Sequence, residues 1–211
     1  MILETSRDIE AGIAALTQLC PHMARAATAV GTVPLRRWSP GFDGLVRIIV
    51  GQQLSVASAN AILNRLSTAV DPLDAKGVLA ASDATLRAAG LSAAKLATLR
   101  AVSIAVRDGD INFAGLDSAS PEAVHEALTA VRGIGPWTAD IWLVLCRGDS
   151  DAFASGDLAL QVAVQDLLGL EARPSAAEML TIAERWRPWR GVAARLLWAT
   201  YATRKQEAKR N

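Results

Sequence analysis

The chain is 211 residues long, 51% hydrophobic and 20% charged, with a formal net charge of +1. That length buries a sizeable core in one domain or two small lobes, and the composition excludes a disordered or low-complexity chain. The near-neutral balance, with a sequence pI of about 7.8, excludes a broadly basic protein, so an anionic partner must meet a local patch of positive potential.

Alanine and leucine dominate, and the β-branched and aromatic alternation of strands is scarce, which predicts an all-α fold. Cys20 and Cys146 lie far apart, and Cys146 falls inside an apolar helical pattern, where a buried free thiol is the simple reading. Two unpaired cysteines suit a reducing interior, so a cytoplasmic protein is expected, associated with the nucleoid if bacterial. The N-terminus has no basic start followed by an apolar core, so no signal peptide is expected. No stretch reaches about 18 uninterrupted apolar residues, so no membrane span is expected either.

In chain order, Ile9, Ile13, Leu16 and Leu19 set a helical period that Ser6 or Asp8 is placed to cap, and Pro21 ends that helix or begins the next. Residues 31–41 carry two prolines and two glycines and read as a connector. Phe42, Leu45, Ile48 and Ile49 then form one apolar face running into Gly51, Gln52 and Gln53. Ser55 is placed to cap a further helix with Val56, Ala59, Ile62, Leu63 and Leu66 on its inner face. Two adjacent glutamines at a helix junction read either as a solvated turn or as a wedge entering a base stack, where an amide fills the gap and hydrogen-bonds the orphaned base.

Ser82 caps a short helix ending at Gly90, and Leu96, Leu99, Val102 and Val106 mark a longer one with Gly109 beyond its end. Ser120–Pro121 is a helix start, with Val124, Leu128 and Val131 inward. The segments LRAAGLSAAKLATL and LTAVRGIGPWTADI share a helix, glycine turn, helix layout, a weak internal echo. Asp157 precedes a helix with Leu160, Val164, Leu167 and Leu168 on one face, closed by Gly169. SAAE at 175–178 is a capping box for a helix carrying Met179, Ile182 and Ala183. A tryptophan- and arginine-rich segment follows, and the final RKQEAKRN is polar and expected to fray.

Three features carry chemistry. Gly133 and Gly135 flank a tight turn between two helices; they serve either close packing in an αα-corner or a backbone that approaches a phosphate, with the amides of the next helix pointing at the anion. Asp157, at a helix start, reads as a cap or as a carboxylate facing a ligand, and the two roles are compatible. Asp149 and Asp151 are rivals that read as exposed loop residues. Of the tryptophans, Trp186 and Trp189 flank a proline and read as structural, while Trp137 and Trp198 suit a cavity that stacks on a flat ligand.

The segments LVRIIVGQQLS, VRGIGPWTADIW, FASGDLAL and WRPWRGVAARLLW, in this order and spacing over most of 42–198, resemble the helix-hairpin-helix superfamily of DNA glycosylases, specifically its DNA-3-methyladenine glycosylase II group. The resemblance implies two helical lobes with a helix-hairpin-helix motif and the active-site cleft between them. It implies one unit over 1–211, with a six-helix-type lobe at 42–131 bearing the wedge corner, a second lobe from 1–41 plus 132–211, and the hairpin at 121–146. It implies a monofunctional base-excision glycosylase that flips out alkylated purines, 3-methyladenine and 7-methylguanine, and hydrolyses their N-glycosidic bond.

By the same resemblance Asp157 is the catalytic aspartate, and Gln53 is the wedge, with Leu54 the alternative. Gly133 and Gly135 meet the DNA backbone. The carbonyls of Thr129, Val131 and Ile134 hold a structural monovalent cation, sodium or potassium. Trp137 and Trp198 line the base pocket. Ile141 and Ala199 stand where better-known members have aromatic residues, which widens that pocket. Trp137 takes the place of the nucleophilic lysine of bifunctional relatives, so no Schiff base and no lyase activity are expected. No catalytic cofactor is expected; two cysteines cannot hold the iron–sulfur cluster of other branches, and the additional N-terminal β domain of some relatives is not expected. The implied partner is double-stranded DNA containing damaged bases, met by a monomer away from membranes. The competing readings are a non-catalytic helix-hairpin-helix DNA-binding protein and, behind it, a small-molecule enzyme with an aromatic pocket. Whether Arg187, Arg190 and Arg195 touch phosphate or cover surface is open at this level.

Overall fold

Short polar side chains determine where helices begin in this chain. Thr5, Ser55, Asp74, Ser82, Ser92, Asn112, Ser120, Asp157 and Ser175 each accept the backbone N–H three residues on, satisfying a donor that the first helical turn leaves without a partner. The computed structural model describes residues 1–208 and 210. Among them lie thirteen α-helices and no sheet; the one β-type contact is an isolated bridge between Ile2 and Asp149. The fold is all-α.

The helices are α1 (Ser6–Leu19), α2 (Pro21–Val30), α3 (Phe42–Gly51), α4 (Val56–Ala69), α5 (Ala75–Ala80), α6 (Asp83–Ala88), α7 (Ala93–Asp108), α8 (Phe113–Ser118), α9 (Pro121–Thr129), α10 (Pro136–Ile141), α11 (Leu158–Leu168), α12 (Ala176–Ala183) and α13 (Arg190–Glu207). A π-helical stretch, Trp142–Arg147, prolongs α10, and a 3-10 turn, Glu184–Trp186, follows α12. The chain divides into two units, Met1–Arg37 with everything from Gly148 onward, and Trp38–Arg147.

In the first unit α1, α2, α11 and α13 pack together. Leu16, Met23, Leu160, Val164, Met179, Trp186 and Leu196 are buried there. Gly12 permits the closest approach, because a Cβ at that position would stand 2.7 Å from the Val192 side chain and 2.8 Å from Trp189. In the second unit Val46, Val50, Ile62, Leu66, Val78, Leu86 and Leu99 form the core. Here α3, α5 and α6 pack against α7, and α10 packs against α9 and α3. The boundary therefore differs from the expected one. The expected second lobe took in the hairpin's second helix, but α10 buries Ala139 and Ile141 beside α3 and α9, which keeps the hairpin whole within Trp38–Arg147.

Local expectations are corrected in three places. Thr5 rather than Ser6 or Asp8 caps α1, and Asp8 answers from the third helical position by accepting the Thr5 N–H, completing a capping box. Val56 is 78% exposed, because the first turn of α4 projects past the core and Ala59, Ile62 and Leu66 carry the inner face. The α13 helix runs to Glu207, into the segment expected to fray; Lys209 and Asn211 of that segment lie outside the described residues. The internal echo is present as geometry. Gly90 between α6 and α7 and Gly133 between α9 and α10 both take positive φ, +106° and +91°.

The two capping boxes make a pH prediction. Backbone amides of Glu4 and Thr5 hold the Asp8 carboxyl below its ordinary 3.8, and the Ser175 amide and hydroxyl hold Glu178 below its ordinary 4.5. A folded-state pKa below the unfolded one stabilises the fold fully above the unfolded value, and that contribution is lost as pH falls through the depressed value. Thermal midpoints should therefore drop on acidification through and below these ordinary values. The double variant Asp8→Asn, Glu178→Gln should show a smaller drop than the parent, and an equal drop would remove these carboxylates as its source.

Candidate active site

The glycine hairpin is built by two turns of opposite demand. After α9, the Val131 N–H bonds to the Leu128 carbonyl and the Ile134 N–H to the Val131 carbonyl, closing a tight reversal. Gly133 at its apex has φ +91°, a left-handed conformation, and a Cβ there would collide with the side chain of Thr98. Only glycine meets both conditions. Gly135, the cap residue of α10, has an ordinary φ of −100°, and nothing stands within 4 Å of where its Cβ would be. The first glycine is required by the fold, and the second leaves open space in front of the first turn of α10.

The same turn carries the carbonyls expected to hold a monovalent cation. Thr129 ends α9, so its carbonyl belongs to the last turn, whose acceptors lack helical partners. The Val131 carbonyl accepts one N–H and keeps a second lone pair. Three neutral carbonyl oxygens form a donor set suited to a hard cation of low charge.

The glutamine corner lies in the same unit. Its two glutamines have different duties. Gln52 caps α3 through its own N–H, bonded to the Ile48 and Ile49 carbonyls, and its side-chain Nε2 donates to Thr138 Oγ1 on α10 at 3.0 Å. Gln53 is exposed and holds φ +56°, rare for a residue with a Cβ. Leu54 is 40% exposed. Beneath them Lys95 Nζ donates to the Val50 carbonyl at 2.7 Å and the Gln52 carbonyl at 2.8 Å. Burial pushes the Lys95 ammonium below its ordinary range.

Asp157 lies in the first unit. It is half-buried at the start of α11, where its Oδ1 accepts the Leu160 N–H at 3.0 Å and the Trp198 indole N–H at 3.0 Å. The two donors converge on one oxygen from different elements, which fixes the carboxylate's orientation. The Trp198 N–H thereby orients the Asp157 carboxylate. Trp137, half-buried, and Ile141, 4% exposed, belong to the second unit on α10.

The rival carboxylates are not exposed loop residues. Asp149 is 6% exposed. Asp151 takes both Arg187, at 2.7 Å, and Arg190, at 2.9 Å, and Glu184 joins them. Arg187 and Arg190 are thus engaged in an ion-pair network. Arg195 is 2% exposed, donating to the Leu35 and Gly191 carbonyls, with burial and neighbouring Arg37 pushing its pKa down to about 10. It supports the connector before residue 38 and does not face solvent. Trp186 is fully buried and Trp189 packs over Gly12, so both are structural.

Sequence reasoning passed over Lys95, Thr98 and Thr138. Lys95 and Thr98 sit one turn apart on α7, next to apolar positions that the helical period does mark. No local signal sets them apart, because their partners lie far along the chain.

Residues 46–188 match the HhH-GPD superfamily of base excision DNA repair proteins. The chain is similar to the solved structure of the Schizosaccharomyces pombe 3-methyladenine DNA glycosylase Mag1 in complex with abasic DNA, with a TM-score of 0.83 and 28% identity over 89% of this chain and 94% of that one. It is similar also to a DNA-3-methyladenine glycosidase of Bacillus halodurans, with a TM-score of 0.77 and 32% identity over 91% of this chain and 89% of that one. Among curated proteins, the alkylbase DNA glycosidase-like protein mag2 of S. pombe is 26% identical over 74% of this chain and 76% of its own length.

Proposed function

The chain belongs to the HhH-GPD superfamily of base excision DNA repair proteins, and we propose that it is a monofunctional DNA glycosylase that removes alkylated purines, 3-methyladenine and 7-methylguanine, from double-stranded DNA. The observation that carries this reading is Asp157, a carboxylate held at a helix start by two donors on one oxygen. A structural cap needs only the first of them. The names of the similar proteins support the substrate class, and the complex of Mag1 with abasic DNA holds what base removal leaves behind.

A purine alkylated on a ring nitrogen carries positive charge and departs with the electron pair of the N-glycosidic bond, so it needs no proton from the enzyme. The sugar becomes an oxocarbenium-like cation. Asp157 stabilises that charge as a preoriented anion and aligns the water, whose oxygen bonds to the anomeric carbon while its surplus proton passes to solvent. Trp137 and Trp198 each offer a flipped cationic base a face to stack on, and each good cation–π contact contributes about 0.5–2 kcal/mol. Gln53, or Leu54 beside it, fills the space the base leaves. The hairpin amides around Gly133 and Gly135 meet the DNA backbone. A monovalent cation on the Thr129, Val131 and Ile134 carbonyls would add positive charge toward a phosphate. Trp137 offers no amine, so no Schiff base forms. The protein acts as a monomer.

Incubation with methylated duplex should release free 3-methyladenine and 7-methylguanine and leave strands that break only after alkali. Strand breaks without alkali, or an adduct trapped by borohydride, would remove the monofunctional reading. Tight binding with no free base would leave a DNA-binding protein without chemistry.

A further inference from the structure

Gln53 is the residue presented at the corner, yet its own backbone conformation is unfavourable. A non-glycine residue at φ +56° persists only when its surroundings over-determine it. Those surroundings are unusual here. The residue before it is fixed at both ends, its carbonyl by Lys95 Nζ and its side chain by Thr138 Oγ1. Lys95 also takes the Val50 carbonyl, so one ammonium closes the carboxyl end of α3, where unpaired carbonyls and the helix dipole both favour a cation. Thr138 is 2% exposed, and its hydroxyl is an anchor, not a surface contact. One turn along α7 from Lys95, Thr98 stands against Gly133 of the hairpin.

We infer that Lys95 is a positioning residue for base extrusion: it locks residues 50–52 so that Gln53 is presented in advance, with Gln52 acting as a strut to the hairpin helix and not as a wedge. This rests on the reading that the corner enters the duplex. A wedge that must first be ordered would spend part of its interaction energy on that ordering; a preorganised one applies all of it to the unstacked site. The same first turns of α7 thereby set both elements proposed to meet DNA, one through Lys95 and one through Thr98.

The test compares one methylated purine in two settings, fully paired and opposite an abasic site, where extrusion costs little. Lys95→Met should slow base release from the paired duplex by about tenfold and from the unpaired setting by no more than about twofold. A 2-aminopurine beside the lesion should brighten less on mixing, and Lys95→Arg, which keeps charge and donors, should recover part of both. Equal slowing in the two settings with unchanged 2-aminopurine emission would reduce Lys95 to a stabilising residue and overturn the inference, as would no slowing at all. If Lys95→Met does not fold, Thr138→Val cuts the other end of the strut while keeping its shape, and absence of a paired-only defect there overturns the inference equally. Gln53→Ala separates the two levels. A paired-only defect in Gln53→Ala without one in Lys95→Met removes Lys95 alone, whereas no defect in Gln53→Ala brings down the wedge reading and the inference with it.

Discussion

The Asp157→Asn protein should bind alkylated duplex as tightly as the parent and release base at least about a hundredfold more slowly. Asparagine is as good a helix cap as aspartate, and its Oδ1 can still accept the Leu160 and Trp198 N–H groups that the carboxylate now takes at 3.0 Å each. The substitution therefore removes the negative charge while retaining the geometry. Asp157→Ala would confuse the two, because cap loss alone costs about 1 kcal/mol. Single-turnover release of methylated purine, read beside the thermal midpoint and Kd for the duplex, makes the comparison. Turnover near the parent's would take Asp157 out of catalysis and leave it the cap that its position already makes it.

The two hairpin glycines should part company under substitution. Gly133→Ala places a Cβ into Thr98 at φ +91°, so loss of stability of about 1–3 kcal/mol is expected from strain, before the collision is counted. Gly135→Val meets open space at an ordinary φ, so only the loss of glycine's modest cap preference counts, about 1 kcal/mol at most and a few degrees in the thermal midpoint. If the amides of this turn approach a phosphate, Gly135→Val should nevertheless weaken duplex binding by about tenfold, the loss of roughly one charge-assisted hydrogen bond. Normal binding by Gly135→Val would place the DNA backbone elsewhere. A fall in both stability and binding for Gly133→Ala would not discriminate, which is why the second glycine decides the matter.

The ion-pair network around Asp151 shows why composition misleads at short range. Arg187 and Arg190 look, in sequence, like candidates for phosphate contact beside two tryptophans, and Asp151 like a loop acid. In the fold the three neutralise one another with Glu184. Arg195 is withdrawn altogether, spending its donors on backbone carbonyls of the connector and of its own helix. On the proposed reading the positive potential that meets DNA comes from other groups, and backbone amide donors such as those proposed at the hairpin are ones no charge count registers.

What the sequence by itself determined is local. Helix starts are legible because a cap and its acceptor lie three residues apart, as at Ser55, Ser92, Ser120 and Ser175, and helix faces because apolar residues repeat at 3.6. The hairpin glycines and Asp157 at the head of α11 are legible on the same grounds. The tertiary structure alone decided which glutamine is tied down and which is presented, that Trp198 turns its N–H to a carboxylate 41 residues away, and that Lys95 reaches back 45 residues to the end of α3. It also decided that Gly133 is fixed by Thr98 while Gly135 is not. The reason is physical: these contacts depend on how helices pack side by side, and a hydrogen bond between distant segments leaves no periodicity in either of them.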